Sequence, residues 1–273
     1  MHIFYNKYMN LMAINRVAFT LFGYDIYWYG VIIACAILVA YLVSLLLVKI
    51  RHLDMDLPFE ILIFAIPLGI VFARLAAVLF DSGLSITDYF NFRSGGMSII
   101  GAIFGGFIGI LLLKLIKKRS ILECIDIIAT VVILSQGIGR WGNFFNSEIY
   151  GQIVTNPNLQ FFPYAVFIES EGAFFEALFF YEFVLDVLGF VGLFFIFKYV
   201  KIKGVAAASY LMYYGTIRII LETRRATKYV LTVFGLPFSI ISSVVMIVAG
   251  GCLLTYVLIK YYKDKKMERS HGG

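Results

Sequence analysis

The sequence predicts an all-α membrane protein with seven transmembrane helices, an outer N-terminus and a cytoplasmic C-terminus. Of its 273 residues, 61% are hydrophobic and only 15% are charged, whereas soluble domains carry roughly 25% charged residues. So little polar surface cannot coat a water-exposed fold, and most apolar side chains are expected to face lipid. Seven apolar segments give the number of spans, and the distribution of lysine and arginine gives the orientation.

The apolar segments are long enough to be transmembrane helices. A span needs about 20 mostly apolar residues to cross a hydrocarbon core of about 30 Å, and a helix satisfies its backbone hydrogen bonds internally. In chain order the segments are 26–48, 58–80, 97–116, 121–139, 174–197, 205–222 and 236–259. Residues 1–260 are therefore predicted to form a single transmembrane domain, followed by a cytoplasmic tail, 261–273. The outer connection 151–173 is either a small cap or a loop that dips into the headgroups.

The basic residues set the orientation, because lysine and arginine accumulate in cytoplasmic loops. With the N-terminus outside, 14 of the 23 lysines and arginines fall in cytoplasmic segments. The net charge of +6 is therefore attributed to membrane topology, and no nucleic acid partner is expected. The cysteines and histidines have no metal-ligand spacing, so no metal site is expected.

The segment 139–151, at the outer end of the fourth span, concentrates polar residues at membrane depth. It reads GRWGNFFNSEIYG and contains Arg140, Asn143 and Asn146. Such residues are costly in a bilayer and are functional candidates by default. The guanidinium of Arg140 suits a phosphate, and the amides both donate and accept hydrogen bonds. The segment is a candidate pocket for an anionic headgroup, and its glycines allow close backbone approach or an unwound helix end.

The sixth span carries a polar stripe. Tyr214, Arg218 and Glu222 recur every fourth residue and therefore share one helix face. The stripe sets a fixed cation beside a carboxylate that can orient it. The alternative interpretation is a polar seam between helices.

Other features of the spans favour structural roles. Asp126 and Asp186 are expected to pair in buried salt bridges. The glycine-rich segment 94–106 predicts close helix packing. The run Trp28-Tyr29-Gly30 is typical of an anchor at the membrane interface.

Together these motifs resemble the prolipoprotein diacylglyceryl transferase family. The family's signature, Gly-Arg-x-Gly-Asn-Phe-x-Asn-x-Glu followed three residues later by Gly, is matched at every fixed position by 139–151. The spacing of Tyr214-Gly215, Arg218, Glu222 and Arg225 is similar to the family's sixth-span motif. Weaker matches are Trp28-Tyr29-Gly30, Arg74, Gly95-Gly96-Met97-Ser98 and Tyr181-Glu182.

The resemblance implies a multi-pass enzyme of the bacterial plasma membrane. Such an enzyme transfers the diacylglyceryl group of phosphatidylglycerol to the lipobox cysteine thiol of a preprolipoprotein, the first step of lipoprotein maturation. A thioether forms and glycerol phosphate leaves. The expected partners are phosphatidylglycerol, preprolipoprotein signal peptides and the lipid bilayer, and no cofactor is required.

The catalytic residues implied by the resemblance are Arg140, Arg218, Glu148, Glu222 and Tyr29. The two arginines would clamp the leaving group, because a fixed cation stabilises the negative charge that develops there. Glu148 and Glu222 would hold the arginines or manage a proton.

The resemblance also implies a set of substrate-binding residues. Asn143 and Tyr214 would orient the headgroup. The full set is Asn143, Asn146, Tyr214, Gly142, Arg74 and Arg225.

The sequence departs from the family at positions that bear on proton transfer. Ile100 stands after the Gly-Gly-Met-Ser stretch, where the family often has a His that could deprotonate the thiol. Glu176-Ala177 stands where a His-Pro pair is common, and Glu176 is a candidate replacement base. Two interpretations follow. One is a transferase with another base or none, since a thiol needs only modest help to ionise, and the other is a diverged paralogue with an altered acceptor or reduced activity.

Two other classes of protein remain as alternatives. A small-substrate transporter would also contain buried Arg/Glu pairs and broken helices, although the two halves of the chain show no inverted repeat. A lipid-scaffolding protein would leave the signature at 139–151 unexplained. A cavity that opens sideways to lipid favours the enzyme, and one that opens along the membrane normal favours the transporter.

Overall fold

The computed structural model describes residues 16–80, 85–90, 96–226, 230, 232–233 and 235–271. These ranges contain seven α-helices: α1 (Trp28–Arg51), α2 (Leu57–Phe80), α3 (Ile99–Lys117), α4 (Ile121–Asn146), α5 (Leu178–Tyr199), α6 (Val205–Glu222) and α7 (Phe238–His271). They also contain three antiparallel strand pairs: β1 (Val17–Leu21) with β2 (Tyr24–Tyr27), β3 (Ala165–Ile168) with β4 (Ala173–Glu176), and β5 (Thr232–Val233) with β6 (Leu236–Pro237). Gly95, part of a weak family match, lies outside the described residues.

Six of the seven described helices, all except α6, are long and apolar enough to cross a membrane. Their apolar side chains are widely exposed, as for Ile99 and Ile103 of α3, at 77% and 69%. Because soluble proteins rarely expose large apolar surfaces, the chain is a polytopic, mainly helical membrane protein, and this prediction is confirmed. The helix α6 is less apolar because it carries the polar stripe. Its assignment as a span and the orientation of the bundle stay predictions.

The chain divides into two compact units. One comprises residues 41–128, and the other comprises the described residues among 1–40 and 129–273. In the first unit, Gly101, Gly105 and Gly109 of α3 lie directly against the backbone of α2, so that a Cβ at any of them would overlap it. The packing role predicted for the glycine-rich segment is thereby confirmed.

Within the first unit, ion pairs join α1 to α4 and join the connection before α4 to α2 and the residues that precede it. Arg51 lies 3.5 Å from Asp126, whose carboxylate is fully buried. The structural pairing predicted for Asp126 is therefore confirmed. In the connection before α4, Arg119 contacts Asp54 at 2.7 Å and Glu60 at 2.6 Å.

In the second unit, β3 and β4 form a hairpin, and most of its residues belong to the connection 151–173. Ala165 pairs with Glu176 at one end of the hairpin, and Ile168 pairs with Ala173 at the other. Its buried side chains pack with Tyr150 and with Phe179 of α5. The hairpin therefore links the segment after α4 to the beginning of α5.

Two helix ends differ from the sequence predictions. The helix α4 runs without interruption to Asn146, beyond the predicted end of the span at 139, so the helix is not unwound at Gly139 or Gly142. Left-handed backbone begins only at Ser147, with φ of 53°, and recurs at Ile149, with φ of 54°. The helix α7 continues through the predicted tail to His271, and its charged side chains are exposed over 260–270.

Candidate active site

Charged side chains from three helices meet in the second unit. Arg140 Nη2 of α4 lies 2.5 Å from Glu182 Oε1 of α5. Arg218 of α6 approaches the same carboxylate, and its Nη1 donates to Oε1 at 3.0 Å and to Oε2 at 3.2 Å. One carboxylate therefore holds two guanidinium groups that are distant in sequence.

A second carboxylate continues the arrangement along α6. Arg218 Nη2 donates to Glu222 Oε2 at 3.4 Å, and the same oxygen lies 3.5 Å from Arg225 Nη1. Arg218 and Glu222 meet because residues four apart are neighbours on a helix surface. We call Arg140, Glu182, Arg218, Glu222 and Arg225 the arginine–glutamate network.

Burial makes the arginine–glutamate network costly to disrupt. The side chains of Glu182 and Glu222 are 1% and 4% exposed, and those of Arg140 and Arg218 are 19% and 13% exposed. A buried charge is tolerated only when it is paired and hydrogen-bonded. Each carboxylate here meets that condition by contacting two arginines.

The arginine–glutamate network has capacity left for an anion. Its three guanidinium groups exceed its two carboxylates by one positive charge. Among the described residues, the Nε atoms of Arg140 and Arg225 are buried without a hydrogen-bond partner. Unpaired buried donors are rare in folded proteins. These donors and the excess charge suit a phosphate, which accepts several hydrogen bonds at once.

Tyr214 extends the arginine–glutamate network on α6. Arg140 Nη2 donates to the Tyr214 hydroxyl at 3.3 Å, and the Tyr214 ring stacks on Tyr210 with the ring centroids 5.7 Å apart. Tyr210 donates in turn to Gln136 at 3.2 Å. The structure therefore brings Tyr214 to Arg140, and the predicted stripe on α6 faces α4 and α5.

The sequence marked Glu182 as an ionisable residue within a span and as a weak family match, but it gave this residue no specific role. The intramembrane arginines offered a signal, since an arginine at membrane depth pairs with a carboxylate or with backbone carbonyls. The identity of that partner depended on how the helices pack. The structure assigns Glu182 to the centre of the arginine–glutamate network.

Glu148 lies in a separate amide cluster. Its Oε1 accepts hydrogen bonds from Asn143 Nδ2 at 3.1 Å and from Asn146 Nδ2 at 3.2 Å. Of the two expected roles of Glu148, holding an arginine does not match these contacts, and managing a proton stays a prediction. The helix ends between Asn146 and Glu148, and the turn at Ser147 brings the carboxylate back over both amides.

Tyr29 of α1 packs on α4 at Gly142. A Cβ at Gly142 would lie 2.5 Å from Tyr29 Cδ2, so glycine is required for the ring to approach. A Cβ at Gly139 would meet nothing closer than 3.7 Å. Of these two signature glycines, Gly142 is therefore the one that the packing demands.

Arg74 belongs to the first unit and is fully buried. Its Nη1 donates to the carbonyl of Gly96 at 2.7 Å and its Nε to that of Tyr89 at 3.3 Å. These contacts hold the connection between α2 and α3. Its predicted role in substrate binding stays a prediction.

Asp186 does not form the salt bridge that the sequence suggested. It lies one turn beyond Glu182 on α5 and is fully buried, and its two carboxylate oxygens have no hydrogen-bond partner among the described residues. The reason is that Arg140 and Arg218 both reach Glu182 instead. Within the described ranges, no three His, Cys, Asp or Glu side chains come together as metal ligands would.

Comparison with known proteins gives a consistent family match. The model of the prolipoprotein diacylglyceryl transferase family matches residues 16–256. A protein of Finegoldia magna named phosphatidylglycerol–prolipoprotein diacylglyceryl transferase is 34% identical over 254 residues, covering 92% of this chain and 97% of the relative. Proteins of the same name from Clostridium novyi and Staphylococcus carnosus are 34% and 33% identical, covering 90% and 94% of this chain and 97% of each relative.

Proposed function

The chain belongs to the prolipoprotein diacylglyceryl transferase family, and from this premise we propose that it transfers the diacylglyceryl group of phosphatidylglycerol to a lipobox cysteine thiol. The acceptor is the signal peptide of a preprolipoprotein, and the reaction takes place in the bacterial plasma membrane. The observation that carries the residue assignment is the shared contact of Arg140 and Arg218 with buried Glu182.

In this proposal the arginine–glutamate network binds the lipid phosphate. Glu182 holds the guanidinium groups of Arg140 and Arg218 in fixed positions, so little reorganisation is needed when an anion arrives. The free Nε of Arg140 and the single excess positive charge supply attraction for the phosphodiester. Tyr214 and Asn143 lie on the flanking faces of α6 and α4 and are proposed to orient the headgroup.

The reaction forms one bond and breaks one. The sulfur of the acceptor cysteine attacks the glyceryl carbon that carries the phosphate, a C–S bond forms, and the C–O bond to phosphate breaks. Glycerol phosphate leaves with the bonding electron pair on its phosphate oxygen, and the thiol proton passes to that phosphate or to water. Because the leaving phosphate gains negative charge in the transition state, preorganised arginines stabilise it more strongly than the substrate.

Glu222 and Arg225 are proposed to support the clamp that Arg140 and Arg218 form. Glu222 contacts both Arg218 and Arg225, and this fixes the distance between the two guanidinium groups. Tyr29 and the amide cluster around Glu148 are proposed to shape the wall of the site along α4. A thiol needs only modest activation near neutral pH, so the arginine clamp is proposed to supply most of the rate enhancement.

The test uses purified protein in phosphatidylglycerol vesicles with a lipobox peptide. The expected product is a peptide whose mass has increased by one diacylglyceryl group on cysteine. Arg140→Ala and Arg218→Ala are each expected to reduce its formation at least about 100-fold, because an oxyanion-stabilising group typically contributes 10²–10³-fold. Arg269→Ala is the matched control, since Arg269 is exposed on α7.

Two outcomes would contradict the proposal. If the wild-type protein forms no thioether with any phosphatidylglycerol vesicle and lipobox peptide, the activity itself is wrong. If Arg140→Ala or Arg218→Ala transfers at the wild-type rate, that arginine is not part of the clamp. A peptide with serine in place of the cysteine must give no product in either case.

A further inference from the structure

An ion pair outside the arginine–glutamate network joins the hairpin to the end of α6. Glu176 is the last residue of β4, and Arg224 lies two residues after α6 ends. Arg224 Nη1 donates to Glu176 Oε1 at 3.2 Å. The Glu176 side chain is only 7% exposed, whereas that of Arg224 is 58% exposed.

The ion pair encloses the segment that follows α4. The N–H of Gly151 donates to the Glu176 carbonyl at 3.0 Å, and the N–H of Glu176 donates to the Gln152 carbonyl at 2.9 Å. On the other side, the N–H of Ala226 donates to the Tyr150 carbonyl at 3.2 Å. Residues 150–152 therefore lie between β4 and the chain leaving α6, bonded to both.

Gly151 is in direct contact with the ion pair. A Cβ at Gly151 would lie 2.7 Å from Glu176 Cβ and 2.9 Å from Glu176 Oε2. No larger residue fits without moving the carboxylate. This contact gives a packing reason for the last glycine of the signature at 139–151.

The unequal burial of the two partners decides how much the ion pair matters. An ion pair between two exposed side chains contributes little to stability. Here the carboxylate is buried, and Glu176 Oε2 has no hydrogen-bond partner among the described residues. Removing Arg224 would leave a buried carboxylate without its cation, which costs more than the pair itself contributes.

The same two segments also carry the arginine–glutamate network. Glu182 follows Glu176 along the chain, and Arg218 precedes Arg224, so ion pairs join β4–α5 to α6 at two levels. Arg225 is the neighbour of Arg224. A displacement of the outer pair would therefore reach residues that contact the proposed substrate phosphate.

We propose that Glu176 and Arg224 form a latch that positions the site, and that Glu176 does not act as the thiol base. The latch fixes residues 150–152 and Arg225 relative to the clamp. This inference rests on the proposed function. Phosphatidylglycerol binding is its first readout, because Arg225 is the proposed contact nearest the latch.

The test compares single and double variants in the vesicle assay. Arg224→Ala is expected to raise the phosphatidylglycerol concentration needed for half-maximal rate about tenfold, the range of coupling between contacting residues, with the peptide dependence unchanged. Glu176→Gln keeps an oxygen that accepts from Arg224 and is expected to retain a rate within about threefold of wild type. Glu176→Ala/Arg224→Ala is expected to lose no more than Arg224→Ala alone.

The outcomes separate a latch from a base. If Glu176→Gln is as inactive as Glu176→Ala while Arg224→Ala keeps the wild-type rate, Glu176 acts in proton transfer and the latch is wrong. Glu169→Ala is the matched control, because Glu169 is an exposed carboxylate of the same hairpin. It is expected to behave as wild type.

Hydrogen exchange tests the latch without any activity. The amides of Gly151, Glu176 and Ala226 are expected to exchange slowly in the wild-type protein and at least about tenfold faster in Arg224→Ala. Equal protection in both proteins overturns the latch. If the wild-type protein forms no thioether but the protection difference appears, the proposed function fails and the latch stands.

Discussion

Replacing Glu182 with alanine removes the carboxylate that contacts both Arg140 and Arg218. In Glu182→Ala, Arg140 loses its carboxylate contact at 2.5 Å, and Arg218 loses its contacts at 3.0 and 3.2 Å. Breaking a buried ion pair by removing one partner costs about 3–5 kcal/mol. Arg218 keeps Glu222 and Arg140 keeps Tyr214, so we take the lower value, about 3 kcal/mol.

That energy corresponds to about a 100-fold loss of diacylglyceryl transfer if it falls mainly on the transition state. Glu182→Gln retains an oxygen in the place of Oε1, which both arginines contact, but it loses the charge and replaces the second acceptor, Oε2, with an NH2 donor. Its expected loss is smaller, about tenfold, because a charge-assisted bond is roughly twice as strong as a neutral one. A transfer rate that decreases in the order wild type, Glu182→Gln, Glu182→Ala therefore indicates that the charge of Glu182 fixes the two arginines.

The assay measures initial rates of thioether formation in phosphatidylglycerol vesicles, with thermal unfolding of each variant in parallel. Glu169→Ala is the control for removal of a carboxylate from the same unit, and it is expected to keep the wild-type rate. The role of Glu182 in fixing the arginines is refuted if Glu182→Ala transfers at more than about half the wild-type rate. It is also refuted if Glu182→Gln and Glu182→Ala are equally impaired in transfer while both unfold like wild type.

Two further predictions concern packing and pH. Gly142→Ala is expected to slow transfer about tenfold by displacing the Tyr29 ring, which a Cβ would approach to 2.5 Å. Gly139→Ala is expected to keep the wild-type rate and to gain up to about 1 kcal/mol of helix stability. Equal transfer rates for the two variants would contradict the packing argument. A backbone N–H of its own turn and Arg119 hold the pKa of Asp54 below its ordinary value, so the stability from this carboxylate is present above the ordinary pKa and is lost as pH falls through the folded value. Arg119→Ala should therefore lower the thermal midpoint near about pH 7 and have less effect below about pH 3, and a pH-independent difference would refute this linkage.

The membrane architecture could be predicted from the sequence because it depends on composition and on segment length. Each predicted span overlaps one described helix, and the bounds agree most closely for α2 and α6, at 57–80 and 205–222. Helix ends were harder to predict. The glycine at 142 allowed either a close approach or an unwound helix end, and in the structure it makes room for the Tyr29 ring within an intact helix.

Local pairs in the site were predictable, and long-range pairs were not. Arg218 and Glu222 share a helix face whatever surrounds them, so the spacing alone brings them together. Glu182 could not be assigned to two arginines from the sequence, since its contacts require α4, α5 and α6 to be packed together. The same competition for Glu182 explains why Asp186 has no arginine of its own.

The short hairpins were missed because their strands are too brief to show alternation. The strands β3 and β4 have four residues each and gain stability by packing on the start of α5. Without that packing surface, the sequence of the connection 151–173 does not distinguish a hairpin from an irregular loop.

The polar character of α6 bears on how the protein is assembled during synthesis. An arginine in a membrane helix opposes entry into the bilayer, by about 2.5–3.5 kcal/mol at the helix centre. The predicted span α6 carries Arg218 in its second half, one turn before Glu222. The preceding helix, α5, brings Glu182 as the opposite charge, and only a short connection, 200–204, separates the two. The ribosome therefore delivers Glu182 before Arg218, so that α5 can offer this arginine a carboxylate partner as α6 enters the bilayer.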